Sequence, residues 1–97
     1  MQDVNTRIAQ IESFDVMGVR TFGDLTYIMS IMTDVVLGFS DDPHKQNATL
    51  TLAKATLVDI INTALEANAT GFKNVCLKNK LAVEFSTFVQ YLKLSQS

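Results

Sequence analysis

The sequence predicts an all-α protein, a compact bundle of three or four helices in a single domain over residues 1–97. Three observations carry that expectation. Apolar residues recur at helical spacing in separate stretches, capping residues punctuate the chain between them, and an apolar content of 47% supports a folded core rather than a disordered chain. The lone Cys76 allows no internal disulfide, so the fold has to stand on that core.

The first helix is expected over 3–17. Asp3 is a plausible N-cap, Val4, Ile8 and Ile11 form one apolar edge, Phe14 and Met17 extend it, and Gly18 would end it with a positive φ. The second is expected over 22–37. Thr21 with Asp24 three residues on resembles a capping box, with Asp in place of the usual Glu. Phe22, Leu25, Ile28, Met29, Met32, Val35, Val36 and Phe39 then share one half of the wheel, and Gly38 is the expected stop.

The third helix is expected over 43–69, with Asp42 and Pro43 as N-cap and first-turn pair and with Asn68 to Gly71 ending it. Its apolar stripe begins only near Leu50. Leu50, Ala53, Leu57, Val58, Ile60, Ile61, Ala64 and Leu65 fill about half the circumference at 100° per residue, which calls for neighbours on two sides. This is the central helix of the expected bundle. Phe72 to Cys76 reads equally as a turn, a short strand or a helix entry. The fourth helix is expected over 77–93, with Leu77, Leu81, Phe85, Phe88, Val89 and Leu92 on one face. The spacing of Leu81, Phe85, Phe88 and Leu92 is that of a coiled-coil seam, but it lasts only about two heptads.

Charge narrows the function classes. The net charge is −2 and the pI about 5.1, a balance that favours neither a nucleic-acid backbone nor an anionic membrane. The start of the chain lacks a signal pattern, and Asp34 and Asp59 interrupt the most apolar stretches, so a soluble cytoplasmic protein without a membrane segment is expected. Asn47-Ala48-Thr49 and Asn68-Ala69-Thr70 fit a glycosylation sequon but read as helix-end residues.

No catalytic or metal signature emerges, and no cofactor is expected. His44, the only histidine, follows Asp41, Asp42 and Pro43; neighbouring residues rarely converge on one metal, and a solvated helix cap is the expected role. His44 with Cys76 lacks the glycine turn and orienting partner of a nucleophile–base pair. Lys73, Lys78 and Lys80 flank Cys76 and can favour its thiolate.

The run MGVRTFGDL, Met17 to Leu25, resembles the turn of helix-hairpin-helix elements of the form h-G-h-x-T-h-x-D-L. That resemblance implies that Gly18 ends one helix, Val19 plugs the hairpin and Thr21 caps the next. It also implies backbone N–H groups at Gly18, Val19 and Arg20 that could hold a phosphate, with Lys73, Lys78 and Lys80 as an accompanying patch. The second hairpin glycine frequent in DNA-binding members is absent, and Glu12, Asp15 and Asp24 surround the turn. Nucleic-acid binding is therefore the alternative reading.

The leading expectation is a non-enzymatic interaction module, an adaptor, regulator or inhibitor that works through helical surfaces. It would associate with itself, as a dimer or higher oligomer, or with another protein. Lys54 falls inside the apolar arc of the third helix and must snorkel or meet an acid. Leu37, Leu52, Val83 and Leu94 lie off the main stripes; Leu52, Val83 and Leu94, with Lys54, are the candidate interaction surface. A third class is a small-ligand binder using a pocket between Phe-rich helices.

Overall fold

Four helices follow one another in the computed structural model, which describes residues 3–96: α1 Val4–Ser13, α2 Phe22–Ser40, α3 Ala48–Ala69 and α4 Val75–Gln96. No strand occurs among the described residues. Short 3-10 turns, Val16–Gly18 and Pro43–Lys45, interrupt the first two connections. The fold is the all-α bundle that the periodicity predicts.

α1 is shorter than expected. The chain leaves the helical path at Phe14, whose ring stacks on Phe85 of α4 with centroids 5.8 Å apart. Gly18 consequently closes the 3-10 turn rather than a helix, and the left-handed glycine of this chain is Gly71 instead. A Cβ at Gly18 would stand 2.6 Å from the Asp15 carboxylate, so the residue leaves room for that side chain rather than supplying an unusual φ.

The capping box at α2 forms as its residue types suggest. The Thr21 hydroxyl accepts from Asp24 N–H at 3.4 Å, and the Asp24 carboxylate accepts from Thr21 N–H at 3.0 Å. Gly38 does not stop this helix. It faces open space, the helix runs on to Ser40, and the Asp41 amide still donates to the Leu37 carbonyl. Asp42 does cap the turn that begins at Pro43, but that turn is only a single 3-10 turn. α3 starts later, at Ala48, with Asn47 Oδ1 accepting from Leu50 N–H at 3.0 Å. Asn47 thus serves as a helix cap.

The end of α3 is a Schellman motif. Phe72 N–H reaches the Ala67 carbonyl and Gly71 N–H the Asn68 carbonyl, both at 2.9 Å, with Gly71 at φ 66°. Phe72 also has a positive φ, 60°, and its ring is buried; the packing of that ring holds the backbone there. Asn74 then caps α4 through Leu77 N–H at 3.1 Å, which settles the 72–76 stretch as loop followed by helix entry.

Neighbouring pairs are α1 with α2, α2 with α3, α3 with α4, and α4 back to α1. α3 and α4 form the most extensive pairing, and the C-terminal end of α4 is tied to the Pro43–Lys45 turn that precedes α3, where Ser95 Oγ donates to the Lys45 carbonyl at 3.1 Å. The core is one cluster drawn from all four helices, with Leu25, Met32, Ile60, Leu81, Phe88 and Leu92 fully enclosed. The molecule is flattened, 41 × 26 × 16 Å.

α3 sits in the bundle about 70° away from the rotation that its apolar arc predicts. Its buried face consists of Leu50, Ala53, Thr56, Leu57, Ile60, Thr63, Ala64 and Ala67. Val58, Ile61 and Leu65, expected in the core, are exposed. The cause is size. Ala and Thr let α3 approach its neighbours closely, and the larger Leu81, Phe85, Phe88 and Leu92 of α4 fill the core. Thr56 can be buried because its hydroxyl donates back to the Leu52 carbonyl at 2.9 Å.

α2 and α3 each reach the length and mean hydropathy of a membrane span, 1.3 and 1.2 over their best windows. A count of unbroken apolar residues does not register this. Each helix is packed in the bundle with 44% and 39% of that window buried.

Candidate functional site

The outer flank of α3 carries a line of exposed apolar side chains. Val58, Ile61 and Leu65 lie at i, i+3 and i+7, 57%, 38% and 52% exposed. Lys54 extends the same line toward the N-terminus of α3. It is exposed and forms no ion pair among the described residues. Its place in the apolar arc therefore needs neither a buried acid nor a long snorkel, because that part of the arc faces solvent. Near Lys54, a polar groove is lined by Ser40, Gln46, Asn47 and Thr51, so this flank borders the C-terminal end of α2. Exposed Leu37 is one turn back from Ser40 on α2.

Leu52, Val83 and Leu94 are also exposed, but they do not form one patch. Leu52 lies on the other flank of α3, beyond Thr56 and Asp59. Val83 and Leu94 share a line on α4, yet they are three turns apart with Thr87 and Gln90 between them. Cys76 is exposed on the first turn of α4, near that line.

The α3–α4 seam carries a charged cluster. Asp59, Asn62, Thr63 and Glu66 of α3 face Lys80 and Glu84 of α4 across a shallow cleft. Glu84 is partly buried, and one of its carboxylate oxygens is shut off from solvent without a hydrogen-bond partner. Burial pushes its carboxyl above the ordinary glutamate value; the Thr63 hydroxyl and the Lys80 ammonium oppose that rise, and Asp59 and Glu66 add to it. Among the described residues no group of three or more His, Cys, Asp or Glu is placed to hold a metal ion.

At the Gly18 turn, the N–H groups that would meet a phosphate are already bonded within the chain. Gly18 N–H donates to the Asp15 carbonyl at 3.3 Å, Val19 N–H to the Val16 carbonyl at 3.2 Å, and Arg20 N–H to the Asp24 carboxylate at 2.9 Å. These last contacts, with Thr21 N–H, hold the Asp24 carboxyl below the usual aspartate value. The turn thus already binds an anion, its own. Lys78 reaches it, donating to the Met17 carbonyl at 3.2 Å, while Lys80 points into the acidic seam, so the three lysines do not form one patch.

His44 sits exposed in the turn beside the C-terminal end of α4, whereas Cys76 opens that helix. The nineteen helical steps from Cys76 to Ser95 separate the two by roughly 28 Å along the helix. The structure does not bring this pair together.

A separate cleft of about 240 Å3 opens between α1, the Val16–Gly18 turn and α4. Phe14 and Phe85, stacked on each other, form part of its wall. It lies between Phe-bearing elements, as a ligand pocket would, but Phe14 and Phe85 are 71 residues apart and no local pattern brings them together.

Comparison of the chain with protein family models, with curated proteins and with solved structures finds no match.

Proposed function

We propose that this protein is a non-enzymatic interaction module that associates with a second copy of itself through the outer flank of α3. The observation that carries the reading is the unpartnered line of Val58, Ile61 and Leu65. α1 packs against α2 and α4 rather than along α3, and the molecule is only 16 Å thick in its shortest dimension, so none of the described helices covers this flank. Covering it stabilises by about 25 cal/mol per Å2 of apolar area.

Charge supports a copy of the same helix as the cover. The last turn of α3 carries no basic residue, so the negative end of its dipole has no compensating side chain there. Two α3 helices packed antiparallel about a two-fold axis near Ile61 would set each Lys54 beside the C-terminal end of the other α3. Each copy then supplies the cation that the other lacks. Three side chains fall short of the roughly 800 Å2 per partner of a standard interface, so Leu37 and flanking polar residues have to join. The pairing is correspondingly weak, in the micromolar range.

Gel filtration coupled to light scattering, over a concentration series of the full chain, tests the reading. A mass that rises toward that of a dimer with concentration supports it. A monomer at every concentration, or a monomer that binds phosphatidylcholine vesicles instead, contradicts it.

A further inference from the structure

We infer that the cleft between α1, the Val16–Gly18 turn and α4 binds a small organic ammonium ion, with its apolar body on the Phe14–Phe85 wall and its charge at Asp15. This site is distinct from the α3 flank and does not depend on self-association. The cleft is open on one side: Ile11, Val16, Phe85 and Val89, each almost wholly buried in the core, form its apolar floor, Glu12, Asp15, Ser86 and Gln90 its polar rim, and Phe14 stacks on Phe85 at an interplanar angle of 27°. The volume of about 240 Å3 exceeds the ~150 Å3 of an apolar cavity that holds benzene. The clefts beside Lys54 and Glu84 are lined by polar side chains and offer no such wall.

Two carboxylates stand at the rim, and they differ. Glu12 is held by Lys93 at 2.8 Å. The Asp15 carboxylate forms no hydrogen bond or ion pair among the described residues. Asp15 and Phe14 also line the adjoining cleft with Asp24, whose carboxylate is already taken up by the Arg20 and Thr21 N–H groups and the nearby Arg20 charge, so Asp15 is the acid left to meet a cation. Lys78 touches this region only at the Met17 carbonyl. An aromatic wall with an unneutralised carboxylate at its edge matches a ligand with an apolar body and one positive charge, since ring faces and carboxylate both attract cations. An anion is disfavoured by the same acids, and a neutral ligand gains only the apolar contact.

The test uses benzylamine, which is cationic at neutral pH, against benzyl alcohol of the same shape, in 15N–1H NMR titrations of the full chain. Benzylamine should shift the amides of Val16, Phe85, Ser86 and Val89 with millimolar affinity, as expected for so small a ligand. It should bind roughly threefold to fivefold more tightly than benzyl alcohol, the scale of one exposed ion pair. Asp15→Asn, a change at the exposed rim, should erase that preference and leave the alcohol unaffected. Ala82→Leu, which fills the cleft, should weaken both. Equal affinity for the two probes, a preference that survives Asp15→Asn, or no shifts at these four amides overturns the proposal.

Discussion

Thr21 and Asp24 give the clearest case of a residue-scale cause. Their reciprocal hydrogen bonds satisfy three N–H groups at the start of α2, those of Arg20, Thr21 and Asp24. Thr21→Ala removes one of these bonds and should lower stability by about 1 kcal/mol in urea unfolding. The Asp24 carboxyl titrates below its usual value of 3.8, so its contribution is present above that pH and is lost as pH falls through its lowered value. Glu84 has the opposite sign. Its carboxyl titrates above the ordinary 4.5, so the folded state disfavours the charged form. The resulting penalty is absent below 4.5, grows as pH rises toward the raised value and is complete above it. Glu84→Gln should therefore be neutral to mildly stabilising at pH 7, and that gain should vanish at pH 4; a loss of stability at pH 7 would mean that the ionised carboxylate is held by a favourable partner. Melting curves of both proteins across that range decide between the two.

At the scale of elements, what could be read from the sequence was what local chemistry controls. The α2 face apart from buried Ile31, the Thr21 box and the α3 stop at Gly71 depend on neighbours within about one turn, and these were legible. The errors came where packing decides. Gly38 looked like a stop, but a glycine in an exposed helix position costs only about 1 kcal/mol, and α2 absorbs it. The apolar arc of α3 points away from its true buried face because Val58, Ile61 and Leu65 outweigh Thr56 and Thr63 in hydrophobicity, although the smaller residues allow the closer helix contact. Lys54 looked anomalous for the same reason. As an exposed residue, Lys54→Met should change monomer stability by less than about 0.5 kcal/mol. Ala64 tests the packing argument directly. It is wholly buried, and Ala64→Leu should cost about 1–3 kcal/mol through overpacking, where Leu65→Ala on the exposed flank should cost far less. Similar losses for the two substitutions in denaturant melts would return α3 to the rotation that its apolar arc suggests.

For the whole molecule, the thin bundle and the short α1 leave one flank of its central helix uncovered. The existence of a candidate surface was legible as an excess of apolar arc over available cover. Its location was not, because Leu52, Val83 and Leu94, single residues off their stripes, are scattered, and the line of Val58, Ile61 and Leu65 lies within the arc that hydrophobicity alone assigns to the core. The Phe14–Phe85 cleft was beyond reach because it depends on a contact across most of the chain.

Sedimentation velocity of the wild type, Ile61→Asp and Val83→Asp over the same micromolar series tests the central claim most directly. Both substitutions place a carboxylate at an exposed position, so both monomers should fold. The account predicts that the wild type and Val83→Asp move toward the dimer with rising concentration while Ile61→Asp remains a monomer. Dimerisation of Ile61→Asp at wild-type concentrations, or its loss only in Val83→Asp, would contradict an interface on the outer flank of α3.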